Sequence, residues 1–407
     1  MKWGPLTEKD VDSWLAKPSP SSSPSSAISA EDTKSTRRRE TLVVNDIDRF
    51  YPPLADWMYE TFHFLPNWRM DDGQISLAEK GGGIGPHVDN YDVFLIQMRG
   101  SRTWQIGRRK LSAIEEKDGT IDGLDVRVLD GWSLDNISED GKSEVEEWIV
   151  HPGDCLYLPP RVAHCGTSLS NDSMTLSVGC RAPSVSDLVS KLAERLSSSI
   201  DDSAVRRYTD EDLLQQITNG SERRAGPGEI TPDAKESAKN LVLESLASLL
   251  NDDEWWDTFF GQYVTEQKRL RNNYPVPISD WVDDEEEEDS KTTIENVLAD
   301  KCVLYQAEGI AFAHSSITST TQHNGRISHR FFVNGEMWQS KSLPSDTKQS
   351  CMVHLFKTVA NHRRLDRALL LGLDDDNKDE ERELSSEAIS FLEELVEGGL
   401  LYQGDLN

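Results

Sequence analysis

No run of 18 apolar residues occurs anywhere in the chain, so no transmembrane helix is expected. The opening, MKWGPLTEKDVDSWLAK, carries acid early and has no apolar stretch, which argues against a secretory signal. A transit peptide would be richer in arginine and poorer in acid. Cysteine is scarce: five in 407 residues, with no CxxC spacing. These read as free thiols of a reducing compartment, mostly in cores, and a structural zinc site is not expected. Positive charge is also short. With 43 Lys and Arg against 72 Asp and Glu, the formal charge is -29. That balance disfavours membrane binding and direct nucleic-acid binding. It suits a basic partner such as a basic peptide or ribosomal protein, or simply a solubilising surface. There is no HExxH signature. The run Gly81-Gly82-Gly83-Ile84-Gly85 lacks the GK[ST] ending and precedes a strand, so it is not a phosphate loop. No internal repeat is visible.

What is present divides into four stretches. Residues 1–41 contain the Ser/Pro-rich KPSPSSSPSSAISAEDTKSTRRR and read as a flexible arm, because they cannot bury enough apolar surface to fold. Residues 42–183 open with helical spacing from Leu42 to Phe64, then alternate short strands with Gly and Pro turns. The expected strands are QISLAEK, Tyr91–Met98, Thr103–Ile106, Trp148–Val150, CLYLP and MTLSVGC. This pattern indicates a β-barrel or sandwich. Residues 184–282 turn helical, with Ser184 or Ser186 as a cap and Leu188, Leu192 and Leu196 on one stripe. Their apolar stripes serve core packing, with a helix-to-helix dimer face as a second use. Residues 283–407 begin with the acidic linker Asp283–Asp289 and contain a later acidic stretch, Asp374–Glu383. A helical or mixed opening around Thr292–Ala307, a helix near Lys348–Asn361, a hairpin at Asn334-Gly335, the capped helix SSEAISFLEELVEGG and a last strand LLYQG suggest a winged-helix-like module. The fold class is α+β.

The chemistry centres on His87-x-Asp89, just after the glycine run. Residues i and i+2 of a strand point to one face, so the imidazole and the carboxylate converge. Alone, such a pair is more often a satisfied structural histidine. A second segment strengthens it: Gly153, five residues, Pro159 and then His164 match the second motif of cupin barrels. Gly153 turns the chain, a strand climbs the wall, and His164 points inward near the mouth. Two histidines and a carboxylate form a facial triad that holds Fe(II) and leaves positions open. Zinc competes for the same ligand set. The other histidines (His63, His151, His314, His323, His329, His354 and His362) read as surface or core residues. Arg102 shares a strand face with Trp104 and Ile106. An arginine facing a barrel interior is costly unless paired, and the far carboxylate of 2-oxoglutarate would pair it. The glycines suit a tight turn or a close backbone approach at the rim.

LPNWRMDDGQIS, GGGIGPHVDNYDVFLIQMRGSRTW, PGDCLYLPPRVAHCG and SVGCRAP together closely resemble the bacterial JmjC ribosomal oxygenases of the cupin superfamily. The resemblance runs from about Leu42 to Pro183 and weakens beyond. It implies a double-stranded β-helix (jelly roll), a helical dimerisation segment with a homodimer, and a C-terminal winged-helix domain. It also implies Fe(II) held by His87, Asp89 and His164, and 2-oxoglutarate bound by Arg102 and Ser76. It implies O2 as the oxidant and, as substrate, an arginine of a large-subunit ribosomal protein, gripped by residues matching Asp72 and Tyr91. Three departures stand out: Arg161 replaces the usual glycine, Gln74 replaces a methionine, and the Ser/Pro arm stands where the family has further strands. Alternatives are histidyl hydroxylation, lysine demethylation, or an inactive cupin that binds ribosomal protein. A cytoplasmic location is expected, with an organelle as the other reading.

Overall fold

The structure, a computed structural model, describes residues 41–119, 127–129, 145–198, 207–209, 218–219, 230–266, 290–318, 326–340, 343–344, 351–373 and 382–406. The expected arm (apart from Thr41), the run Asp283–Asp289 and most of Asp374–Glu383 lie outside them. Among the described residues no helix is long and apolar enough to cross a membrane.

The chain opens with strand β1 (Thr41–Val44), which pairs antiparallel with β2 (Met70–Ala78). The helical spacing expected from Leu42 therefore starts later. Leu42, Val43 and Val44 belong to a short run rich in β-branched residues, which favours a strand. Helices α1 (Ile47–Phe50) and α2 (Pro52–Thr61) follow, the second with prolines at its first positions. Beyond the glycine run come β3 (Asp92–Arg99), β4 (Arg102–Lys110) and the short helix α3 (Ala113–Gly119). Then come β5 (Val145–Val150), β6 (Cys155–Leu158), β7 (Val162–Ser168) and β8 (Ser173–Cys180). One sheet has the order β1-β2-β8-β3-β6 and the other β5-β4-β7. The interleaved order gives the β-rich, cupin-like architecture. Val93, Leu95, Trp104, Val150 and Leu158 form an apolar cluster inside it.

The remainder contains α4 (Val185–Ser198), α5 (Pro232–Leu250), α6 (Asp253–Thr265) and α7 (Ser290–Leu298). Ser184 is the cap of α4: its Oγ accepts from the Asp187 amide at 3.1 Å, and Asp187 accepts from the Ser184 amide at 3.0 Å. Strands β9 (Val303–Gln306), β10 (Phe312–Thr318), β11 (Arg326–Val333), β12 (Glu336–Gln339) and β13 (Leu343–Pro344) come next. Asn334 and Gly335 join β11 to β12 with φ of 52° and 78°, the left-handed pair of a type I′ hairpin. The chain ends with α8 (Cys351–Asn361), β14 (Arg364–Leu365), α9 (Arg367–Leu371), α10 (Ser386–Glu397) and β15 (Leu401–Gly404). Phe331, Phe356, Phe391 and Leu392 lie in the large apolar core of this part.

Contacts divide the chain into two compact units. The first comprises residues up to Asn45 with Gly73–Gly179, and the second Asp46–Asp72 with everything from Cys180. The boundaries expected at 42, 184 and 283 are thus drawn differently. Residues 46–72 join the second unit because Arg363 pairs with Asp56, and the Asn67 amide donates to the Ala360 carbonyl at 3.3 Å. Helix α6 joins it too: Asp257 takes Arg330 at 3.1 Å and Ser315 at 2.7 Å. These contacts are non-local and leave no mark in local composition.

Candidate metal centre

His87 lies outside the regular strands and makes an isolated antiparallel bridge with His164. Each backbone N–H donates to the other's carbonyl at 2.9 Å. Directly opposed residues bring their side chains together, and the two imidazole centroids are 4.1 Å apart. Asp89 Oδ2 stands 3.4 Å from His164 Nε2. One ligand atom from each of His87, Asp89 and His164 lies within 4.8 Å of the others. All three belong to the first unit.

The histidines are preset for ligation. His87 Nδ1 faces the Gly85 carbonyl and His164 Nδ1 the Val162 carbonyl, both at 2.9 Å. Those acceptors place the proton on Nδ1 and leave the Nε2 lone pair for a metal. His164 Nε2 is buried without a hydrogen-bond partner among the described residues. Burial, reinforced by nearby His87 and opposed by Asp89, pushes the His164 pKa down to about 4. A neutral imidazole is the ligating form. Two nitrogens and one carboxylate oxygen fit Fe(II).

The glycine run has a steric task. Gly81 donates to the Ser168 carbonyl at 2.7 Å, and Ser168 donates back to Gly82 at 2.9 Å. A Cβ on Gly83 would sit 2.1 Å from the Gly166 carbonyl oxygen. The close approach is therefore to strand β7, which carries His164.

Arg102 is 3% exposed. Its Nη1 donates to Ser76 Oγ at 2.9 Å, while Nε and Nη2 are buried without hydrogen-bond partners among the described residues. Burial alone pushes its pKa down to about 10, still charged at neutral pH. A buried cation without a carboxylate among its described neighbours is costly, and a ligand carboxylate would complete it. Trp104, two residues on, places its ring 5.7 Å from the Arg102 guanidinium carbon and 5.7 Å from the His164 ring. Its Nε1 is also buried and unpartnered. The sequence put Trp104 on Arg102's face without a role. The signal available there was a polar edge on a core aromatic.

Asp72 is buried on β2, on the same side of the strand as Ser76, and Tyr91 is half-buried just before β3. Gln74 donates to Asn45 Oδ1 at 2.7 Å. Arg161 keeps the turn that a glycine would make: its φ is 66°, at a strain of roughly 1–2 kcal/mol. The cysteines are free, with Cys180 and Cys302 buried and Cys155 exposed.

The JmjC domain family matches residues 57–188. Among curated proteins, the chain is 29% identical over 262 residues to a probable ribosomal oxygenase of Haemophilus influenzae, covering 64% of this chain and 58% of the relative. It is 30% identical over 228 residues to the ribosomal protein uL16 3-hydroxylase of Escherichia coli, covering 56% and 53%. The matches thus span a little over half the length of these relatives. Among solved structures, E. coli YcfD superposes with a TM-score of 0.60 at 24% identity, covering 93% of this chain and 82% of YcfD. A YcfD structure in complex with cobalt and 2-oxoglutarate gives 0.57 at 24% identity, covering 89% and 78%. These two likenesses concern the fold.

Proposed function

We propose, from the match of residues 57–188 to the JmjC domain family and the similarity to the ribosomal oxygenases, that this protein is an Fe(II)- and 2-oxoglutarate-dependent oxygenase that hydroxylates an arginine side chain of a large-subunit ribosomal protein. One juxtaposition carries the reading: a triad of His87, Asp89 and His164 in the same barrel as a buried Arg102 with two unpartnered nitrogens. Bound at the triad, Fe(II) would supply the redox chemistry by which O2 converts 2-oxoglutarate to succinate and CO2 and places one oxygen atom on the substrate.

The chain's own residues bind, orient and exclude water. Arg102 and Ser76 would anchor the far carboxylate of 2-oxoglutarate, and the Trp104 indole walls the space beside His164. The Gly85 and Val162 carbonyls hold the two imidazoles in the ligating tautomer. Asp72 and Tyr91 are assigned to the substrate guanidinium, since a carboxylate and an aromatic face both suit that cation. The formal charge of -29 favours a basic target. The name of the E. coli relative, a uL16 hydroxylase, points to the same class of substrate.

Helices α4 and α5 are read as a dimerisation segment of a homodimer. No described side chain of α5 is buried, and Val189, Val242 and Leu243 are more than half exposed. The β11–β12 hairpin with helices α8 and α10 supports a winged-helix-like module. A ribosomal substrate favours a cytoplasmic location. The test is mass spectrometry of ribosomal proteins incubated with the protein, Fe(II), 2-oxoglutarate and O2. Gain of one oxygen atom on an arginine, with iron-dependent succinate, is the expected result. Gain on a histidine, or loss of a lysine methyl group, would reassign the substrate. Absence of succinate would leave a binding protein.

A further inference from the structure

Two consecutive glutamates on α3 have unlike surroundings. Glu115 is exposed and takes Arg109 in a two-point contact at 2.9 and 2.6 Å. Glu116 is 4% exposed, and both its oxygens are engaged. Oε2 accepts from Arg161 Nε at 2.8 Å, and Oε1 pairs with Arg127. Each arginine also grips the backbone or side chains of the loop that carries the metal ligands. The Arg161 amide donates to the Asp89 carbonyl at 2.8 Å. The Arg127 carbonyl accepts from Val88 N–H at 3.2 Å, and its guanidinium donates to the Asn90 side chain. Three successive residues, Val88, Asp89 and Asn90, are thereby held by two arginines, and both arginines end on one carboxylate.

We propose that Glu116 is a positioning residue for the metal centre: through Arg127 and Arg161 it fixes the loop that presents Asp89. The observation that carries this is geometric. Asp89 lies on no regular strand, so its direction is not set by a sheet ladder. Its side chain is also about one-third exposed, which leaves it free to swing unless its backbone is held. The left-handed Arg161 fits the same account. A glycine would make that turn without strain, but it could not reach Glu116. Groups beyond the ligands commonly set metal affinity in this way.

The inference rests on the metal reading above, and a titration with Co2+ separates the two. In the unaltered protein Co2+ binds. Glu116→Gln and Arg161→Gly each raise its Kd by about tenfold or more. The double variant binds no more weakly than the weaker single one, because both substitutions break the same contact. The visible Co2+ spectrum of each variant shifts as the Asp89 oxygen loosens. The direction at Arg161 is diagnostic. Removing a cation near a dication site would tighten binding if charge alone mattered, whereas positioning requires weaker binding. Arg161→Gly suits its backbone conformation, so it supplies a folded variant even if Glu116→Gln unfolds. Unchanged or tighter Co2+ binding by Arg161→Gly overturns the inference while leaving the metal reading standing. Failure of the unaltered protein to bind Co2+ overturns both.

Discussion

The two compact units each bury an arginine, and they treat it in opposite ways. Arg363, in the second unit, is 8% exposed and meets Asp56, Glu308 and the Gln306 carbonyl. Burial lowers its pKa, but Glu308 and Asp56 outweigh burial and push it above the usual arginine value. Arg102, in the first unit, meets one hydroxyl and is pushed down. The cores differ in the same sense. The second unit closes around one large apolar cluster that includes Phe331, Leu355 and Leu392. The barrel of the first has a five-residue cluster and places Ser76, Arg102 and His164 among its buried groups. A satisfied buried charge holds a fold together. Under the proposed function, the unsatisfied Arg102 is completed by a ligand carboxylate.

The sharpest way to break this contrast is at the metal. Under the proposed function, His164→Ala removes the imidazole opposite His87 and is expected to bring iron-dependent succinate formation to background, with the fold retained by circular dichroism. Substituting each arginine by leucine should then give opposite signs. Arg363→Leu leaves two acids without their cation and is expected to lower unfolding free energy by about 3 kcal/mol in urea. Arg102→Leu removes an unpaired buried cation, so the ligand-free protein should melt higher. The same change should weaken 2-oxoglutarate binding about 10- to 100-fold, the worth of a charge-assisted contact. A smaller effect follows from linkage. With metal present, 2-oxoglutarate at about 100 times its Kd should stabilise the unaltered protein by about 2.7 kcal/mol, and at that same concentration Arg102→Leu should gain far less.

A further effect, confined to acid conditions, is in pH. His164 is held at about 4 in the fold against 6.5 in the unfolded chain. Between those values the unfolded state binds more protons, so metal-free protein loses stability as pH falls from 6.5 toward 4 and regains it on the way back. Denaturant midpoints across that range should slope accordingly, and His164→Gln should flatten the slope.

Much of the barrel could be read from local chemistry. His87-x-Asp89, the Gly153 to His164 spacing and Arg102 two residues before Trp104 each carry their meaning within a short window. The hairpin at Asn334-Gly335 does so as well, because only a few residues tolerate two left-handed positions in succession. What escaped was non-local. Nothing near Glu116 distinguishes it from Glu115, and only the fold buries one and exposes the other. Thr41–Val44 is too short to declare a strand until β2 lies beside it. The assignment of residues 46–72 to the second unit depends on Arg363, about three hundred residues away in sequence. Arg161 was recognisable as a departure from the cupin glycine, but its left-handed backbone keeps the turn that the substitution put in question.

The ladder between β4 and β7 has one more consequence. It sets Arg102 opposite Ser168, Trp104 opposite Gly166 and Ile106 opposite His164. A Cβ at Gly166 would come within 2.7 Å of the Trp104 ring, so the indole is seated against bare backbone. The indole stands 5.7 Å from the Arg102 guanidinium on one side and 5.7 Å from the His164 ring on the other. Under the proposed chemistry, this register sets how the cosubstrate's cation anchor stands relative to the metal ligand His164, and Gly166→Ala, which pushes on the intervening ring, is expected to disturb it.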